Sequence, residues 1–195
     1  MSSKVLVMLA APGMIGKSYS AKAVADANPS VAILENDKLM QKLFRLVHLP
    51  QDMPIDKIAP WHTEVDKKAD CDALIRLLHR DWVSLHRDNS VILAEGYLYM
   101  NKAYREQVKS GLSHLGYDIK YMLFQYQPAM EEQIANRAKK YIAYGWAPIS
   151  PEQHKQNLQA QWLDFEAPVG EGVGFQVVDA TSLANEIKQI ALQTH

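Results

Sequence analysis

An unbroken apolar run, Val5-Leu6-Val7-Met8-Leu9-Ala10, leads directly into Ala11-Pro12-Gly13-Met14-Ile15-Gly16-Lys17-Ser18. This junction limits what the chain can fold into more than any other stretch. A continuous apolar run suits a strand buried on both faces of a parallel sheet. Pro12, Gly13 and Gly16 interrupt it, and the small residues from Lys17 to Ala27 predict a helix. The glycines let the backbone curl so that successive N–H groups point inward, and the helix start adds a partial positive charge. Between Ala11 and Ser18 the chain matches the phosphate-cradling pattern G-x-x-x-x-G-K-[ST], with alanine in place of the first glycine.

The remaining sequence alternates strand and helix signals. Val31–Leu34 reads as a second buried strand running into Glu35-Asn36-Asp37, and 38–48 as a helix with Leu39, Leu43 and Leu46 on one face. Pro50, Pro54 and Pro60 mark a loop, after which Val65, Ala69, Leu74, Leu77, Leu78 and Leu85 give a helical stripe to about Arg87. Val91–Ala94 reads as a third strand ending at Glu95-Gly96, followed by a helix from Asn101 that Gly116 can terminate. Ile119–Phe124 reads as a fourth strand, and Pro128 opens a helix with Glu131 and Glu132 in its first turn. Ser150-Pro151-Glu152-Gln153 carries capping-box chemistry for the next helix. Gly170, Gly172 and Gly174 form a turn before a short strand, Phe175–Val178, and a last helix carrying Leu183, Ile187 and Ile190. The alternation predicts an α/β fold: one domain over 1–195, with a five-stranded parallel sheet sandwiched by helices.

Ligands of open parallel sheets bind beyond the carboxyl ends of the strands. There the first three strands deliver the 11–18 loop, Asp37 and Glu95 to one edge. In the loop, the backbone of Pro12, Gly13, Met14, Ile15 and Gly16, with Lys17, Ser18 and Tyr19, is the candidate nucleotide cradle. Lys17 can reach the β- and γ-phosphates of ATP, and the Ser18 hydroxyl can bind Mg²⁺. Glu95 sits where a carboxylate would hold Mg²⁺ through water; the competing reading is a strand-end cap. Asp37 can accept the proton of an attacking hydroxyl, or simply cap the helix beginning at Lys38. Glu35 or Asn36 takes that role if the register differs by one residue.

Asn136-Arg137-Ala138-Lys139-Lys140 lies late in the helix after strand four. Arg137 there can neutralise charge on a transferred phosphoryl group, against the reading that cations near a helix C-terminus only complement its dipole. Gly145 can hinge the following segment as part of a lid over 137–162, excluding water. Region 38–88 is the candidate acceptor side.

The 21 Lys and Arg nearly cancel the 22 Asp and Glu, leaving a formal charge of −1 and no global field for holding long nucleic acid. Cys71 is the only cysteine, which excludes an intrachain disulfide framework. No segment reaches the roughly 20 apolar residues of a bilayer span. The run after Lys4 imitates a short secretory signal, but the loop motif that follows explains it better. A cytoplasmic location without a membrane partner is the expectation. The histidines form no metal signature, His79 and His86 included. Tyr97, Tyr99, Tyr144, Trp146 and Trp162 read as core rather than as base-stacking platforms.

Taken together, Ala11–Ser18, Leu34-Glu35-Asn36-Asp37, Val91-Ile92-Leu93-Ala94-Glu95 and Asn136-Arg137 leading to Ala147-Pro148-Ile149 resemble the P-loop kinases of the polynucleotide-kinase, zeta-toxin and gluconate-kinase group. The nearest likeness is to phage-type polynucleotide 5′-hydroxyl kinases. The resemblance implies strand order 2-3-1-4-5, ATP with Mg²⁺ as donor, and a hydroxyl acceptor on a nucleoside, nucleotide or nucleic-acid end. It implies Asp37 as general base, Lys17 and Ser18 as phosphate and Mg²⁺ contacts, and Arg137 as a lid arginine. Adenine would lie at Asp179-Ala180-Thr181, with Ala180 and Thr181 as contacts. The pattern departs from those kinases at Lys38-Leu39-Met40, where they carry a substrate-binding arginine, at Lys139-Lys140-Tyr141, where they carry a second lid arginine, and in having Glu rather than Asp at position 95. The missing arginine and the near-zero charge favour the alternative, a kinase for a sugar, sugar acid or antibiotic. A non-catalytic ATP-binding regulator is the third reading.

Overall fold

In a computed structural model, Lys4–Ala10 (β1) is the central strand of a five-stranded sheet. The structure describes residues 4–36, 38, 39, 83, 86, 88–112, 115–125, 128–143 and 148–194. The predicted helices of 40–82, Cys71 and His79 among them, lie outside the described residues, as do Tyr144, Gly145, Trp146 and Ala147.

In chain order the elements are β1, α1 (Lys17–Asp26), β2 (Val31–Glu35), β3 (Val91–Gly96), a 3-10 turn (Tyr97–Met100), α2 (Lys102–Leu112), β4 (Tyr117–Phe124), α3 (Met130–Ala143), α4 (Pro151–Leu163), β5 (Gly174–Val178) and α5 (Ala180–Gln193). All strand pairs are parallel, in the order β2-β3-β1-β4-β5 expected from the resemblance. Because all pairs are parallel, every strand's carboxyl end lies on the same edge of the sheet.

β1, β3 and the second half of β4 are buried on both faces, which is why these stretches read as apolar runs rather than alternations. Successive side chains still divide between two layers. Leu6, Met8, Ile92, Ala94, Tyr121 and Leu123 pack with Tyr104, Val108 and Leu112 of α2. Val5, Val7, Leu9, Val91, Leu93 and Met122 pack with Val24 of α1 and Leu183, Ile187 and Ile190 of α5. Each Val, Leu, Ile or Met among them contributes about 1.5–3 kcal/mol on leaving water.

Several boundaries differ from the sequence reading. Glu35 and Glu95 are inside their strands, not past them. β4 begins at Tyr117, earlier than Ile119, because Lys4 and Val5 continue the β1 ladder to Tyr117 and Asp118. α3 starts at Met130 rather than at Pro128, whose carbonyl instead accepts from Gln133 Nε2 (2.8 Å). Ser150 caps α4 by accepting from the Gln153 N–H (3.1 Å), with Pro151 in the first turn. The Gln153 side chain donates to Asn157 Oδ1 instead of returning to the cap, so half the expected box forms.

The segment between α4 and β5 is stapled to the β3–α2 connection by a charge that is 2% exposed. Arg105 of α2 donates from Nε (3.0 Å) and Nη2 (2.5 Å) to the Glu171 carboxylate. Its Nη1 donates to the carbonyls of Tyr99 (2.8 Å) and Met100 (3.0 Å), and Nη2 also to that of Glu166 (2.7 Å). The guanidinium stacks 4.6 Å above the Tyr121 ring. Burial works against the Arg105 charge, but the hydrogen bonds and charge of Glu171 more than offset it and raise its pKa. The Tyr97 hydroxyl adds a bond to Asp164 at the end of α4. These contacts hold the C-terminal turn of α4 against the sheet edge where the 11–18 loop emerges.

Candidate active site

Between β1 and α1 the backbone curls as the motif predicts. Met14 (φ 67°) and Gly16 (φ 87°) both adopt left-handed conformations. For Met14 this costs about 1–2 kcal/mol, the kind of strain that functional turns retain. Gly16 occupies the cap position of α1 without any capping side chain. Among the described residues, the N–H groups of Met14, Ile15, Gly16, Lys17 and Ser18 have no protein acceptor. A row of donors of this kind at a helix N-terminus can hold an anion. Pro12 is buried, and Ile15 packs into the core beneath, so the contribution of Ile15 to the cradle is its backbone. Ser18 is exposed on the first turn, and Tyr19 is 83% exposed.

The Gly13 N–H does have an acceptor: Gln161 Oε1 of α4, at 2.9 Å. A carboxamide oxygen from a distant helix thus fills one donor of the cradle. No motif marks Gln161 in the sequence, because its role depends on where α4 docks.

Lys17 and Glu95, expected at one sheet edge in separate roles, are paired with each other. The Lys17 ammonium donates to Glu95 Oε2, and both side chains are buried. The cause is topological. β3 lies beside β1, Leu9 is level with Glu95, and Glu95 shares the face of the sheet on which α1 packs. The second Glu95 oxygen accepts no hydrogen bond among the described residues. A hydroxyl at Ser18 and a spare carboxylate oxygen at Glu95 are hard oxygen donors of the kind Mg²⁺ takes, so these residues fit that ion. Among the described residues, no group of three or more His, Cys, Asp or Glu gathers into a metal site.

Asp37 lies outside the described residues. Its neighbour Asn36 is fully buried against Gly96, where an added Cβ would meet Asn36 Nδ2 at 2.6 Å. The Asn36 side chain also hydrogen-bonds the Tyr99 hydroxyl, which burial foremost pushes well above its ordinary pKa. The end of β2 is therefore anchored to the end of β3. Glu35 accepts from Lys38 Nζ (2.6 Å).

Arg137 of α3 is 8% exposed and makes no hydrogen bond or ion pair among the described residues. A guanidinium so little hydrated can meet an anion as well as complement the dipole of α3. Beside it, on α4, stands His154, also buried, whose Nδ1 has no hydrogen-bond partner. His154 meets Tyr141 of α3 edge to face, with ring centroids 5.1 Å apart. The two helices flanking residues 144–147 therefore pack on each other.

Ala180 and Thr181 are not in a loop but in the first turn of α5, exposed at the same sheet edge. Asp179 caps that helix, accepting from the N–H groups of Thr181 (3.0 Å) and Ser182 (2.8 Å), which lower its pKa. Capping chemistry explains why an Asp-Ala-Thr stretch imitates a loop. Tyr99 is wholly buried and Trp162 packs against the core, as expected of core aromatics; Tyr97 is partly buried. Among the described residues no helix is long and apolar enough to cross a membrane.

No protein-family model matches the chain, and no curated protein matches it. Solved structures do. The chain is similar to shikimate kinase from Acinetobacter baumannii in complex with shikimate (18% identity, TM-score 0.55, covering 98% of this chain and 94% of that one). It is similar to a sugar kinase from Janibacter sp. (16%, TM-score 0.52, covering 100% and 96%). A gluconokinase from Sinorhizobium meliloti also matches (16%, TM-score 0.50, covering 98% and 90%). At such identities the likeness establishes the architecture: this is the P-loop kinase fold.

Proposed function

We propose that the chain is an ATP- and Mg²⁺-dependent kinase that phosphorylates a hydroxyl of a small molecule such as a sugar or sugar acid. One observation carries the reading. A row of backbone donors and a buried Arg137, both without a protein acceptor or ion-pair partner among the described residues, occur together with a buried Lys17–Glu95 pair in a P-loop kinase fold. A passive fold has no need of an unpaired buried guanidinium. The small acceptor is favoured by the near-zero charge, by Lys38-Leu39 where polynucleotide kinases carry arginine, and by fold neighbours named for gluconate, sugar and shikimate. Nothing found favours the nucleic-acid acceptor implied by the sequence resemblance over this one.

In this mechanism the loop N–H groups and Lys17 hold the triphosphate in line with the acceptor. The acceptor oxygen forms a bond to the γ-phosphorus as the bond to the β–γ bridging oxygen breaks, and ADP leaves. Asp37 takes the hydroxyl proton. Arg137 neutralises charge on the transferring group, and α3–α4 exclude water. Ser18 and, through water, Glu95 would hold Mg²⁺, which when bound offsets phosphate charge.

The test is transfer of labelled phosphate from ATP to a panel of sugars, sugar acids, cyclic polyols, nucleosides and 5′-hydroxyl oligonucleotides. Phosphorylation of a small acceptor, insensitive to salt and lost in Asp37→Asn, is the expected result. Transfer to oligonucleotides alone, with steep salt dependence, overturns the acceptor assignment. ATP binding without transfer to any member favours the non-catalytic regulator.

A further inference from the structure

Gln161 is separated from Gly13 by most of the chain, yet its carboxamide oxygen accepts the Gly13 N–H at 2.9 Å. The contact is built rather than incidental. α4 is held at both ends, near its start by His154 against Tyr141 of α3 and just beyond its end by Asp164 against Tyr97. Trp162, the next residue, packs on the core layer beneath. Gln161 itself is only partly exposed.

The bond has a chemical meaning because of what surrounds it. Among the described residues the neighbouring loop N–H groups have no protein acceptor, whereas this one is occupied by a neutral oxygen. A carboxamide is both acceptor and donor. It can satisfy a loop N–H when no phosphate is present, then turn and donate its Nε2–H to a phosphate oxygen that takes its place. A carboxylate can do only the first, and alanine neither.

We propose that Gln161 is the contact through which α4 recognises the terminal phosphate of the nucleotide, holding its place at Gly13 in the empty loop and donating to it in the filled one. The inference rests on the kinase reading above and adds to it a residue that distinguishes triphosphate from diphosphate. It also couples the terminal phosphate to the helix that carries His154 and packs on the helix of Arg137, so that occupancy of the loop is felt by the candidate lid.

The experiment is calorimetric titration of the full chain with Mg-ATP and with Mg-ADP, for the wild type, Gln161→Ala and Gln161→Glu. A hydrogen bond to a charged phosphate is worth about tenfold in affinity. The preference for ATP over ADP should therefore fall about tenfold in Gln161→Ala and further in Gln161→Glu, where a carboxylate keeps the Gly13 N–H and repels phosphate. ADP affinity should change less than about threefold. Thermal unfolding of each variant confirms that it is folded, since Gln161 makes no other bond outside its helix among the described residues. If wild-type protein binds both nucleotides and both variants keep the wild-type preference within about twofold, this inference alone falls. If the wild type binds neither nucleotide, the phosphate-loop reading falls and takes the inference with it.

Discussion

Lys17, the first residue of α1, donates to Glu95, the penultimate residue of β3, with side chains only 5% and 1% exposed. The residue proposed to hold phosphate is thus also a structural partner of a buried carboxylate. Removing one member of such a pair leaves an uncompensated charge, at a cost of about 3–5 kcal/mol. Lys17→Met alone should therefore lower stability by that order, while Lys17→Met with Glu95→Leu should recover most of the loss. A double-mutant cycle in urea checks this, and Lys17→Met unfolding at the wild-type midpoint would contradict it. Loss of activity in Lys17 variants must accordingly be read beside their stability.

Arg137 is the opposite case. It is buried but makes no ion pair among the described residues, so Arg137→Met loses no partner and keeps the aliphatic stem. Stability should change by less than about 1 kcal/mol, whereas turnover should fall by about 10²-fold or more. Steady-state kinetics beside a melting curve separates the two, and a variant with unchanged turnover removes Arg137 from the reaction.

Arg105 should be a purely structural centre. It binds Glu171, three carbonyls and the Tyr121 face at once. Arg105→Met is expected to cost about 3–5 kcal/mol, and Arg105→Lys should rescue little because an ammonium lacks the planar fork. Denaturant titration of both variants is decisive; a lysine that restores full stability would refute the geometric argument.

His154 predicts a pH dependence. Burial first, and then the nearby Arg137 charge, hold its pKa below the ordinary 6.5. As pH falls below 6.5 the unfolded chain gains a proton that the folded chain refuses, so stability is full above that pH and declines below it. His154→Phe keeps the edge-to-face packing on Tyr141 and should flatten this limb. Melting temperatures at pH values from about 5 to 8 measure the difference; parallel curves for the two proteins would exclude His154 as the source.

Gly96 faces Asn36 so closely that a methyl group cannot enter: the added carbon would lie 2.6 Å from Nδ2 and 2.8 Å from Cβ of Asn36. Gly96→Ala should cost about 1–3 kcal/mol, through overpacking at the anchor that immediately precedes Asp37. Combining it with Asn36→Gly should relieve the clash. Thermal melts of the single and double variants test the contact, and equal destabilisation in both would point elsewhere.

How much of this was legible beforehand follows from where the information sits in the chain. The strand Val5–Ala10, the turn at Gly13 and Gly16 and the helix from Lys17 are local consequences of apolar burial and glycine geometry, so the sequence by itself determined them, along with the alternation that yields a parallel sheet. The placing of Lys17 and Glu95 at one sheet edge was likewise readable, because parallel strands present their carboxyl ends together. Their pairing was not, since it depends on β3 lying beside β1 with Leu9 level with Glu95. Gln161 at Gly13, Asn36 against Gly96 and the Arg105–Glu171 staple join residues distant in the chain. Only the tertiary structure decided these, because a hydrogen bond between distant segments is set by how whole helices and strands dock, and no periodicity or motif encodes a docking distance.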